Sequence, residues 1–226
     1  MTFVSDLPLS RWRPRARVVL PTSEVPGPAV PAVDVHSHVG RWLTTDGGWM
    51  APDTRELAST LRAAGVQTLV NLDGRWGDEL TANIARYDRA SPGTYLTFCH
   101  VEWAQLAGSG GPGDSAVVER LTAQLADSAR AGARGVKVWK DVGLSVRDGS
   151  GALVPPDDDR VVAVLRAAGE LGLPVLIHTA DPVAFFDPLD QHNERTCPEV
   201  TGQYGTDVDG PGRLTRCPRA AAGSAP

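Results

Sequence analysis

The sequence predicts an α/β fold in which short parallel strands alternate with helices. Three observations carry this. From Val33 onward, short β-branched runs recur, each followed by a stretch with apolar residues at helical spacing, the sequence form of consecutive βα units. The run Val175-Leu176-Ile177 is continuously apolar, as in a parallel strand covered on both faces. Glycine and proline punctuate the runs where helices must stop.

In chain order, residues 1–32 hold six prolines and no clear period, so an extended arm is expected there. The first strand is 33–38. The helix after it opens on Asp53 as N-cap, with Glu56 completing a capping box and Gly65 closing it. The second strand is 67–72, and a helix follows over about 78–90, stopped by Ser91-Pro92-Gly93. The third strand runs over 94–101. Glycines 108, 110, 111 and 113 mark a loop, and Ser115 is expected to cap a helix reaching Ala131, in which Val117, Val118, Leu121 and Leu125 recur at helical spacing. The fourth strand is 135–140. A polar loop with Pro155, Pro156 and three aspartates leads to a helix over 159–171 closed by Gly172, and the fifth strand is 174–179.

Five units of roughly 30 residues each point to a (β/α)8 TIM-barrel type, and a closed eight-unit barrel typically needs about 250 residues. An incomplete barrel of about five βα units is therefore expected. Residues 196–226 hold five Gly and four Pro, and Leu214 is their only large aliphatic apart from valine. Such a stretch buries too little apolar area to offset its ordering entropy. The expected organisation is an arm over 1–32, a partial barrel over 33–195 and an irregular or disordered tail over 196–226, with the tail read as a truncation or altered frame.

Composition narrows the partners. With 42% hydrophobic residues the chain can build one sizeable core, and a net charge of -5 offers no surface for tracking phosphates. The only basic cluster, Arg11, Arg13, Arg15 and Arg17, is interrupted by Trp12 and Pro14, so no nucleic-acid partner is expected. No apolar run approaches the roughly 18 residues of a membrane span, and residues 1–20 lack the apolar core of a signal peptide. The expectation is a cytoplasmic protein with no membrane partner. Cys99, Cys197 and Cys217 form no CxxC pair and are read as reduced thiols.

Chemistry concentrates at the C-terminal ends of the expected strands, which share one rim in a parallel barrel. His36 and His38 are two apart on one strand, so their side chains share a face and form a two-ligand metal clamp. Asp34 shares that face one layer deeper, where a structural role is expected. His178 ends the fifth strand at the same rim, and three converging imidazoles suit Zn²⁺ or a similar divalent metal, with Mn²⁺ as an alternative. Lys137 lies between two valines in the fourth strand, where a cation is costly without a partner. It is a candidate to hold a substrate carboxylate or, once modified, to bridge metals; the bland reading is a snorkelling side chain. Lys140 and His100 are candidate substrate-binding residues, and Asp73 and Glu102 end strands at the same rim.

The sequence Asp34-Val35-His36-Ser37-His38, the strand-four lysine and His178 together resemble the amidohydrolase-related metal-dependent hydrolases over roughly residues 30–195. The stretch from His178-Thr179-Ala180-Asp181-Pro182 through Phe185-Phe186-Asp187-Pro188-Leu189-Asp190 to Asn193-Glu194-Arg195 is especially similar to bacterial members. The resemblance implies a barrel whose metal activates water to attack an amide, ester or lactone carbonyl of a small, anionic substrate. A decarboxylase branch of the same family is the alternative. The family also takes a histidine from strand six and an aspartate from strand eight; neither can be placed, and Asp207 only faintly resembles the latter. A non-catalytic remnant whose open sheet edge self-associates is therefore a second reading, with a homo-oligomer as its consequence. A metal-dependent phosphoesterase is a third, disfavoured by the shortage of phosphate contacts.

Overall fold

All five expected strands form, and the third is divided between two sheets. The computed structural model describes residues 11, 13–16, 18–24, 27–110, 113–179, 184 and 191–194. Within them the order is β1 (Ala32–Ser37), α1 (Thr54–Ala63), β2 (Val66–Asn71), α2 (Gly77–Ile84), β3 (Tyr95–Thr97), β4 (Cys99–His100), α3 (Ser115–Ala131), β5 (Val136–Val138), a short α4 (Asp141–Leu144), α5 (Asp159–Glu170) and β6 (Val175–Ile177). A π-helical turn, Ala85–Arg89, extends α2, and a 3-10 helix, Trp103–Gly108, occupies part of the stretch expected to be loop.

Helices α1, α3 and α5 begin where a carboxylate can take their free N–H groups. Asp53 accepts from Arg55 N at 2.8 Å and Glu56 N at 3.2 Å, as expected. For α3 the cap is Asp114 and not Ser115. Asp114 is extended, and its carboxylate accepts from Ala116 N at 3.0 Å and Val117 N at 3.4 Å, so Ser115 is already the first helical residue. Gly132 ends α3 at φ +114, a left-handed conformation that suits glycine.

Every strand pair is parallel, and the sheets run β1-β2-β3 and β4-β5-β6 in sequence order. Only Phe98 separates β3 from β4. Its N–H donates to Asn71 O at 2.9 Å on the β2 side, while Cys99 N donates to Gly135 O at 2.9 Å on the β5 side. The third strand thus changes partner within two residues. The fold is α/β with two small parallel sheets, and no closed barrel forms among the described residues.

Period-two alternation assigns the faces of β5. Val136 and Val138 join the large core cluster, which packs Val117, Leu121 and Leu125 of α3 and Val161, Val164 and Ala168 of α5. Lys137 points to the opposite face. A second cluster joins Val39, Ala58 and Leu69 to Tyr87 and Tyr95, and a third joins Val70, Leu72 and Phe98 with Leu96 and Leu176 against it. Burying each such large apolar side chain stabilises by about 1.5–3 kcal/mol. The edge strands leave Val33, Val35, Val175 and Ile177 exposed.

By internal contacts the chain divides into Val25–Thr179, which holds all of these elements, and a unit made of Met1–Glu24 with Ala180–Pro226. In the latter, Arg13 N donates to Gln191 O at 2.7 Å and Arg15 N to His192 O at 3.0 Å. The expected tail over 196–226, with Cys197, Asp207 and Cys217, and most of the stretch 180–190 lie outside the described residues. Among the described residues, no helix is long and apolar enough to cross a membrane.

Candidate functional site

The end of β1 is held by its own polar side chains. Asp34 Oδ1 accepts from His36 N at 2.9 Å, and Oδ2 accepts from the Ser37 hydroxyl at 2.6 Å. Asp34 therefore has the structural role expected of it. The β1–β2 register shifts between Asp34 and Ser37, and the rings of His36 and His38 come to 5.4 Å, centre to centre. With metal–nitrogen bonds of about 2 Å, two imidazoles on one tetrahedral ion sit roughly this far apart.

The residue that orients His38 comes from the end of β2. Asp73 is fully buried, and its Oδ1 lies 2.6 Å from His38 Nδ1. A carboxylate only accepts, so Nδ1 carries a proton, and in the neutral ring this leaves the Nε2 lone pair available. The indole N–H of Trp42 donates to the same oxygen at 2.9 Å, and Gly40 N donates to Oδ2 at 3.0 Å. Gly40 must lack a side chain here, because a Cβ would meet Asp73 Cβ at 2.4 Å. Behind Asp73, the Asn71 amide accepts from Asp73 N at 3.0 Å and donates to Asn83 at 2.9 Å, tying the site to α2.

Lys137 reaches the same region from β5. It is 1% exposed, and its Nζ has no hydrogen-bond partner among the described residues. The ammonium lies 5.3 Å from the ring centre of Trp139, which offsets a part of its desolvation. Burial pushes the amine below its ordinary range, opposed by the negative charge of Asp73. Trp139, two residues on and half-buried, has its ring 5.1 Å from His38, 6.4 Å from His178 and 5.2 Å from Trp42. His178 is fixed through its backbone, donating to Val138 O at 3.0 Å. His36 is held below the usual imidazole range by burial first, then by the charges of Lys137, His38 and His178, against Asp34. It is therefore neutral near pH 7, the state in which it can ligate.

His100 is only 3% exposed, and its Nε2 is 2.5 Å from Leu72 O. Burial pushes it down to about 4, so it is neutral and donates to that carbonyl. The contact from Trp139 Nε1 to the same nitrogen, at 3.3 Å, is then not a hydrogen bond. Lys140 is buried at the start of α4, and Glu102 accepts from Gln105 at 2.8 Å. Cys99 is a buried free thiol pushed up to about 11 by burial.

The structure thus brings His36, His38 and Lys137 together with His178 at the ends of β1, β5 and β6. Among the described residues, no group of three or more His, Cys, Asp or Glu side chains is gathered closely enough to hold a metal ion. Sequence reasoning missed the two indoles, Trp42 and Trp139; the alternation that put Lys137 inward also puts Trp139 inward. A cavity of about 630 Å³ lies at the other end of the strands, among Pro28, Arg62, Gly65, Pro92 and Thr94, away from these groups. Comparison with protein-family models, with curated proteins and with solved structures finds no significant match.

Proposed function

We propose that the chain is a metal-dependent hydrolase of the amidohydrolase-related kind, built on the (β/α)8 pattern, that acts on the carbonyl of a small anionic substrate. In this reading His36 and His38 hold a divalent metal, Zn²⁺ or else Mn²⁺, with His178 as a further ligand. The single observation that carries it is the buried Asp73 on Nδ1 of His38, the carboxylate–histidine pairing that fixes a ligand imidazole with Nε2 facing outward. The all-parallel strand order, with these side chains gathered at the strands' C-terminal ends, supports the barrel assignment.

When bound, such a metal polarises a carbonyl and lowers the pKa of water to about 7. The chain's own residues supply the rest. Asp73 keeps His38 in one tautomer and orientation. The unpaired Lys137 ammonium attracts an anionic group of the substrate to the histidines, and the indoles of Trp42 and Trp139 keep the approach dry, which strengthens that attraction.

Elemental mass spectrometry of the purified chain tests this. Near-stoichiometric zinc or manganese is expected, lost in the His36→Ala, His38→Ala double variant and bound about 10–100-fold more weakly in Asp73→Asn. Wild-type protein that takes up no metal when offered it, or a double variant that keeps its metal, overturns the reading.

A further inference from the structure

Arg75 is the one residue other than glycine with positive φ among the described residues, at φ 57. It follows Gly74 in the turn that leaves β2. Gly74 donates to Phe98 O at 3.1 Å and admits no side chain, since a Cβ would come within 2.2 Å of that oxygen. One residue later the Arg75 carbonyl accepts from His100 N at 2.9 Å. The turn is therefore pinned on both sides to the third strand. Left-handed backbone is disfavoured for an arginine, and such outliers persist where the surroundings over-determine them, often at functional sites.

The pinned backbone aims the side chain between two indoles. The guanidinium carbon lies 5.0 Å from the ring centre of Trp42 and 4.2 Å from that of Trp76. Stacking covers the faces of a guanidinium and leaves the N–H groups on its edge. Among the described residues those donors have no hydrogen bond or ion pair. The acids around them are not in contact with Arg75: Glu79 is bound by Arg41, Asp73 by His38, Trp42 and Gly40, and Glu102 by Gln105. Asp141 is the acid whose charge acts most on Arg75, and burial raises its carboxyl against that pull, but no ion pair joins the two side chains. A half-buried, unpaired, planar cation is complementary to a planar anion.

Trp42 connects this cation to the histidines. One ring carries Arg75 at 5.0 Å, Trp139 at 5.2 Å and, through its N–H, the carboxylate that orients His38. We propose that Arg75 is a specificity-determining clamp that takes the carboxylate of an aromatic acid in a fork-to-fork pair, with the ring of that acid directed along the indoles toward Trp139 and His38. The proposal names the substrate class of the hydrolase reading and rests on it for the identity of the site, while the clamp itself needs no metal.

Benzoate and its neutral counterpart methyl benzoate are the probes, titrated into the full chain by calorimetry and tryptophan fluorescence, with zinc-loaded and chelator-treated protein. Wild type is expected to bind benzoate at least tenfold more tightly than methyl benzoate. Arg75→Met should reduce that preference to what the Lys137 charge alone gives, and Arg75→Lys should retain an intermediate part of it, because an ammonium lacks the fork. Arg75→Gly removes the cation while relieving the positive φ, so it answers the question even if the methionine variant misfolds. Benzoate preference in Arg75→Gly equal to wild type, or none in wild type, overturns the clamp. Preference in a protein that takes up no metal rejects the hydrolase reading and keeps the clamp; metal uptake without preference does the reverse.

Discussion

Arg160 at the start of α5 and Lys137 in β5 are both cations withdrawn from water, 2% and 1% exposed, yet their surroundings differ completely. Arg160 binds Asp158 through Nε and Nη2, both at 2.8 Å, donates to the Ser109 hydroxyl at 2.6 Å and lies 3.5 Å from Asp148 Oδ2. Asp148 in turn takes the N–H groups of Ser150 and Ala152. One guanidinium thus fastens the end of the 3-10 helix, the turn around residue 150 and the first turn of α5. Among the described residues Lys137 has the face of Trp139 and the distant charge of Asp73. A buried charge with every nitrogen hydrogen-bonded is a structural fastening. A buried charge left without an acceptor, among imidazoles, is a group kept ready for something from outside.

Breaking the satisfied side should cost most. Arg160→Met fills similar volume but leaves Asp158 and Ser109 without their partner, and removing one member of a buried pair typically costs about 3 kcal/mol or more. Thermal unfolding followed by circular dichroism is expected to show a drop of several degrees. An unchanged midpoint would mean that the network is decoration, and the contrast with Lys137 would lose its meaning.

A smaller effect sits at His100, which belongs to the histidine side by position and to the structural side by its bonding. Its folded-state pKa of about 4 lies below the ordinary 6.5. Above pH 6.5 both folded and unfolded chains hold it neutral, and it contributes nothing to the pH dependence. Between 6.5 and 4 the unfolded chain binds the proton and the folded chain does not, so stability falls as pH falls, by about 3 kcal/mol in all. His100→Gln keeps a donor for Leu72 O without titrating. Urea midpoints at pH 7 and pH 4.5 should therefore differ less in the variant than in wild type; equal differences would show that His100 does not carry the acid sensitivity.

The sequence made the strands legible because Val and Ile runs bounded by Gly and Pro leave few other conformations, and alternation around Lys137 was enough to place it on the face away from α3 and α5. It did not show that the third strand switches partners at Phe98, because pairing depends on which backbone lies alongside. Asp114 and Ser115 are adjacent capping residues, and only the entry angle of the chain chose the aspartate. At the site, His36 and His38 were legible from spacing alone. Asp73 stood out only as one of several polar residues at strand ends. Its role comes from the convergence of His38, Gly40 and Trp42, more than thirty positions away, a contact with no periodic signature. Arg75 carried no signal at all, since a left-handed arginine looks like any other in a sequence.

The smallest expected change in stability is the one that sharpens the comparison most. Lys137→Met keeps the length and volume of the side chain and removes an amine whose burial is opposed by desolvation. Since no hydrogen bond is lost, the expected change is under about 1 kcal/mol, and replacing a poorly compensated buried charge by an apolar side chain can even stabilise. The same substitution should weaken binding of small carboxylates by wild-type protein, because the cation beside the histidines is gone. Unfolding midpoints and carboxylate titrations on one preparation separate the two roles. A loss of stability comparable to that of Arg160→Met would make Lys137 a structural residue after all, with an acceptor inside the protein, whereas stability retained with binding lost is what an unpaired cation waiting for a ligand requires.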